Sequence, residues 1–233
     1  MSKPFHHGPI ELVDCEVHGP GSGAELFVVE GESAALAVAR VRDPRFQAVL
    51  PMQGKPLNAV KATPRRVAAQ PLFRELTAAL GTGMGTDFRG DSLCFERILI
   101  LTDPDADGIH CGVLLLAFLH RFLRPLLDAG GPGPGRVGWV RAPWGEVMPA
   151  DGGKAIVAHS EESLVALAEQ VRREQPVTVR RFRGLAAIDS ELLSRHCVQP
   201  GGRRVDRMDA GQVEGMLAML AAAGVEGADG MAE

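Results

Sequence analysis

Two hydrophobic patterns recur along this chain. Short continuous apolar runs alternate with longer stretches in which apolar residues follow helical spacing. Glu25 to Val29 (ELFVV) and Ile98 to Leu101 (ILIL) are runs of the first kind and predict strands buried on both faces of a parallel sheet. Phe46 to Lys55 (FQAVLPMQGK) predicts a further short strand, broken by Pro51 and followed by a glycine turn. Val137 to Trp144 reads as a strand entering a turn, and VTVRR from Val177 as another short strand. The helical patterns begin with the alanine-rich SAALAVARV from Ser33. They continue with Leu72 to Leu80, Val113 to Leu127 with Pro125 near its end, Glu161 to Arg173, and a stretch from about Asp189. Alternating strands and helices predict an α/β fold.

GGPGPG at Gly130 to Gly135 is the clearest linker. It divides the chain into a leader (1–24), a core (25–129), the linker (130–136), a C-terminal α+β tail segment (137–210), and a flexible end (211–233) holding one weak helix at most.

Composition narrows the function classes. The formal net charge is −4 and the pI about 6.0, so attraction to nucleic acid requires a local basic surface. Cys15, Cys94, Cys111 and Cys197 are widely spaced and form no CxxC pair, which predicts reduced thiols in a cytoplasmic protein. No signal pattern opens the chain. The longest apolar run, Val113 to Leu119, is interrupted by His120 and Arg121 and is too short to span a membrane. The sequence contains no tyrosine, so it cannot itself form a phosphotyrosine linkage to DNA.

Chemistry concentrates where the Ile98 to Leu101 run ends. Asp103, Asp105 and Asp107 stand at every second position, and in an extended segment they share one face. Three carboxylates so close call for a cation, most simply Mg²⁺ with its preference for oxygen ligands. An EF-hand loop is the rival metal reading, since DPDADG supplies oxygens at the first, third and fifth loop positions. Leu114 stands where that loop needs its bidentate glutamate. An acidic turn capping a helix that begins near Ile109 is the plain structural alternative. Glu30 follows the first strand and occupies the same predicted sheet edge. A carboxylate beside metal-binding aspartates suits a general acid or base, and a turn or capping residue is the other reading.

Lys55 and Lys61 add positive charge, as does the cluster Arg180, Arg181 and Arg183 around Phe182, with Arg203, Arg204 and Arg207 further on. These arginines form either a solvated face or a phosphate-contacting surface. The glycine loop GTGMG at Gly81 to Gly85 follows a helix and lacks the GK[ST] ending of a nucleotide-binding loop.

Four motifs in this order resemble one family over about Val13 to Met208. FVVEGESA resembles the EGDSA turn of the Toprim part of type IIA topoisomerase B subunits (gyrase B and topoisomerase IV B). FQAVLPMQGKPLNAVKA is similar to its LPLRGKxLNVEKA, ILTDPDADGIH to its MTDADxDGxHI, and VRRFRGLAAID to its RYKGLGEM. The resemblance implies a Toprim fold, a small parallel sheet flanked by helices. It implies Glu30 as the general acid/base of DNA strand cleavage and rejoining, with Glu30, Asp103, Asp105 and Asp107 holding Mg²⁺. It further implies DNA contacts at Lys55, Lys61, His110, Arg181 and Arg183, and a separate A-type subunit supplying the tyrosine. The family's N-terminal ATPase region has no counterpart here, so ATP is not expected to bind this chain. Glu32, Ala35, Arg183, Ala186 and Ala187 depart from the family motifs. A non-catalytic module binding DNA or an A subunit, and a free-standing nuclease, are the alternatives.

Overall fold

The computed structural model describes residues 11–128 and 135–222. The leader before residue 11, most of the expected linker, and the end beyond residue 222 lie outside the described residues. In chain order the elements are β1 (Glu25–Val29), α1 (Glu32–Val41), β2 (Gln47–Pro51), α2 (Pro64–Ala69), α3 (Pro71–Leu80), β3 (Arg97–Leu101), α4 (Ala106–Phe122) and α5 (Pro125–Asp128). They continue with β4 (Val137–Val140), β5 (Gly145–Pro149), β6 (Ile156–Ala158), α6 (Glu161–Arg172), β7 (Val177–Arg181), α7 (Ser190–Leu193), β8 (Val205–Arg207) and α8 (Ala210–Ala222).

The main sheet has the order β2-β1-β3-β4-β8. Its first four strands run parallel and β8 is antiparallel to β4. Side chains alternate across each strand, so Leu26, Val28, Ile98 and Ile100 enter one core while Phe27, Val29, Leu99 and Leu101 enter the other. Burial on both faces is why these strands read as unbroken apolar runs. The first core is closed by α3 and α4, whose Phe73 and Phe118 rings stack at 4.1 Å, and the second by α1, α7 and Leu185.

Local chemistry sets the helix ends. Gln70 caps α3 through the Phe73 N–H, and Pro71 occupies the first turn, where a missing N–H costs nothing. Gly81 ends α3 at φ 71°, a left-handed conformation that favours glycine. One expectation is corrected here, and one element is added. Pro51 lies within β2 rather than breaking it, because β2 is an edge strand and an absent ladder donor is tolerated there. A helix not read from the sequence, α2, starts at Pro64 under a Thr63 cap.

The segment after residue 136 contributes to two sheets. Strands β4 and β8 complete the main sheet, and Val137, Met208 and Val213 join its first core. Strands β6-β5-β7 form a separate antiparallel sheet, packed with α6 around Val147, Ala158, Leu164 and Ala168. Among the described residues no helix is long and apolar enough to cross a membrane.

Candidate active site: an acidic edge beside a glycine loop

Register brings the acidic residues together. Val29 at the end of β1 lies opposite Leu101 at the end of β3, so Glu30 leaves the sheet level with Thr102, with Asp103 one residue beyond, at the carboxyl edge. Open α/β sheets characteristically bind ligands at that edge. The Glu30 carboxylate accepts the Asp103 backbone N–H at 3.4 Å.

Beyond Asp103 the extended reading fails. Strand β3 stops at Leu101, and α4 begins at Ala106 rather than near Ile109. Asp105 is therefore the N-cap, with its Oδ1 accepting the Gly108 N–H at 2.9 Å, and Asp107 sits in the first helical turn. The aspartates are grouped by a strand end, a cap and a helix turn rather than by alternation. The capping reading and the clustered-acid reading thus hold together. Gly108 is required by close approach, since a Cβ there would lie 2.2 Å from the Asp103 carbonyl oxygen.

Asp103 is held from the other side by the RGLAA loop. Its Oδ1 accepts the Leu185 N–H at 2.8 Å. Gly184, at φ 114°, leaves room for its Oδ2, which a Cβ would meet at 2.7 Å. Glu30 and Asp103 line a cavity of about 440 Å³ together with Gln53, Gly54, Arg183 and Gly184.

The electrostatics follow from this crowding. Burial, then the neighbouring Asp103, then Asp105 and Asp107, raise the Glu30 carboxyl above the usual range, partly offset by the Asp103 N–H. Burial also raises Asp103, offset by the Leu185 N–H and reinforced by Asp105. A cation is bonded to the group: Lys55 Nζ lies 2.9 Å from Asp107 Oδ1, and that bond raises the lysine. Donor atoms of Glu30, Asp107 and Cys111 all lie within 4.8 Å of one another, a set that holds neither Asp103 nor Asp105. The carboxyl groups of Glu30, Asp103, Asp105 and Asp107 gathered at one edge offer the oxygen donors that suit a hard divalent cation.

The expected basic residues are dispersed. Lys55 is engaged by Asp107, and Lys61 is exposed. His110 is lowered by burial and by Lys55, and its Nε2 is buried without a hydrogen-bond partner. Arg180 and Arg181 point to opposite faces of β7. Arg180 bonds Glu146 at 2.6 Å, whereas Arg181 stacks 4.5 Å over the Trp144 ring and pairs with Glu161. Arg183 alone of that cluster lines the acidic cavity. Arg203 belongs to no surface: it is buried against Glu25, because a buried carboxylate needs a matched partner. The sequence reading missed Gly184, the Leu185 N–H and Cys111. Cys111 had a signal, its spacing of four residues from Asp107, which becomes visible only once α4 is known to start at Ala106.

Residues 25–132 match the Toprim domain family, and the parallel sheet flanked by helices is the fold expected of it. Those matched residues are a Toprim domain. Within that class the chain resembles gyrase B. It is 34% identical to the DNA gyrase B protein of Archaeoglobus fulgidus over 221 residues, 94% of this chain and 33% of that protein. The corresponding protein of Enterococcus faecalis is 33% identical over 91% of this chain, and a novobiocin-sensitive one of Streptomyces niveus 33% over 94%. The chain spans about a third of the length of these curated relatives. The Toprim match and these likenesses together relate the chain to type II topoisomerases.

Proposed function

We propose that this chain supplies the acid–base and metal-binding half of a DNA strand cleavage and rejoining centre, with the nucleophilic tyrosine coming from an A-type partner subunit. The observation that carries the reading is Glu30: a half-buried carboxyl, raised by burial and by three aspartates, opening into a cavity shared with Arg183. Such a group keeps its proton to higher pH than an ordinary glutamate, which suits a general acid. In cleavage the partner's tyrosine loses its hydroxyl proton to solvent and attacks phosphorus, the P–O3′ bond breaks, and Glu30 gives a proton to the leaving 3′-oxygen; in rejoining Glu30 takes that proton back as the 3′-oxygen attacks and the tyrosine leaves, reprotonated from solvent. Arg183 contacts the phosphate backbone, and Asp103, fixed by Leu185 N–H, keeps its carboxylate toward Glu30. Glu30, Asp103, Asp105 and Asp107 are the oxygen donors that would hold Mg²⁺, which when bound stabilises charge on the attacked phosphodiester.

The chain is assayed with a gyrase A-type subunit, supercoiled DNA and Mg²⁺, and the covalent DNA–protein complex is counted. Glu30→Gln lowers the rate of its formation by about 10²–10⁴-fold, the usual worth of a general acid. Parental rates in Glu30→Gln overturn the acid–base role. A second reading, a non-catalytic module that binds DNA or an A subunit, is favoured by Ala186 and Ala187 in place of the family's glycine and glutamate. Capture of the A subunit with no covalent complex under any metal selects it, and cleavage by the chain alone selects a nuclease.

A further inference from the structure

Cys111 is 1% exposed on α4, one turn beyond Asp107, and its Sγ makes no hydrogen bond among the described residues. It faces the carboxylates of Glu30 and Asp107, with the three donor atoms within 4.8 Å of one another. Residues four apart on a helix share a face, so Asp107 and Cys111 offer adjacent donors while Glu30 closes the set from β1. Metal–donor bonds of about 2.0–2.3 Å set donors roughly 3.3–3.8 Å apart around a four-coordinate ion, so binding draws the side chains inward by up to about 1 Å.

We propose that Glu30, Asp107 and Cys111 form a two-carboxylate, one-thiolate site that takes thiophilic divalent ions of the zinc and cadmium class at the edge otherwise suited to Mg²⁺. The inference rests on the reading of this edge as a metal centre. A thiolate adds little for hard Mg²⁺ but selects softer ions. Binding breaks the S–H bond of Cys111, the sulfur lone pair goes to the metal, and the proton leaves to solvent; no electron is transferred. Lys55 gives up Asp107 and rotates outward, which its partly exposed side chain permits. Three protein donors leave a fourth position open. Occupancy by such an ion ties up Glu30 and stops the proton exchange assigned to it.

Cd²⁺ is titrated into the reduced full chain carrying Cys15→Ser, because Cys15, beside Asp14 and His18, is the other described thiol close to metal-binding groups. The expected result is a near-ultraviolet thiolate-to-cadmium absorption saturating at one equivalent. It is lost in Cys111→Ser with at least tenfold weaker Cd²⁺ binding, and retained in Glu30→Gln with about tenfold weaker binding. Mn²⁺ binding, followed by electron paramagnetic resonance, reports the hard-ion site and stays within twofold in Cys111→Ser. Should Cys111→Ser not fold, ¹¹³Cd resonance of the Cys15→Ser protein separates a sulfur-bearing site from an all-oxygen one. An absorption that survives Cys111→Ser, or an all-oxygen ¹¹³Cd shift, overturns the inference. Mn²⁺ binding without any thiolate absorption overturns it while leaving the metal-centre reading intact. Failure to bind either ion overturns both.

Discussion

Strand β1 carries a glutamate at each end, and the two are treated in opposite ways. Glu25, at the amino end, is 3% exposed and saturated with donors. Arg203 bonds both of its oxygens, one at 2.7 Å, while Arg97 reaches it at 3.3 Å and Gln47 at 2.9 Å. Glu30, just past the carboxyl end, has one backbone N–H at 3.4 Å and aspartates for neighbours. A buried carboxylate that serves the fold is matched in charge and hydrogen bonds, because an unmatched one is costly. A carboxylate that serves a reaction is left under-matched and half-open, so that a proton or a cation completes it. The same strand therefore ends in a closed electrostatic unit on one side and an open one on the other.

Breaking the closed end has the largest effect. Arg203→Ala strands Glu25 in the core and removes one of the two donors to the Val198 carbonyl, leaving that from Gln47, and is expected to cost about 3–5 kcal/mol in urea unfolding. A loss below about 1 kcal/mol would show that Arg97 and Gln47 suffice for Glu25 and would weaken the contrast.

Gly184→Ala strikes the support of the open end. It forces a Cβ onto the Asp103 carboxylate at φ 114°, for an expected loss of roughly 1–3 kcal/mol. Mn²⁺ affinity is expected to fall at the same time. Normal stability and normal affinity together would mean that the RGLAA loop does not position Asp103.

The smallest effect has the most informative sign. Glu30 and Asp103 hold protons more tightly when folded than when unfolded, so the stability they contribute is complete below the ordinary carboxylate range. It is lost as pH rises through their raised folded values. In metal-free protein the urea midpoint accordingly falls across that window. Glu30→Gln flattens the fall, leaving the share due to Asp103. Mg²⁺ opposes it, because the ion binds the deprotonated carboxylates of the folded state. A midpoint that rises with pH in metal-free protein would place Glu30 in the same matched class as Glu25.

Period and composition alone determined much of this molecule. ELFVV and ILIL read as strands buried on both faces of a parallel sheet, and Glu30 and Asp103 come just after those runs, so the pattern itself places them at the sheet's carboxyl edge. What Asp105 and Asp107 do depended on where α4 starts. That start is set by the Asp105 cap and by the tight fit of Gly108 on Asp103, which spacing along the chain does not reveal. Arg203 and Arg183 look alike in the sequence, both being arginines in basic, glycine-flanked stretches. One became a buried partner of Glu25 and the other a wall of the acidic cavity. Only the tertiary structure could decide between them, because a charged side chain is assigned its role by the charges that other parts of the chain bring within a few ångströms, and those lie 178 residues away for Arg203 and Glu25.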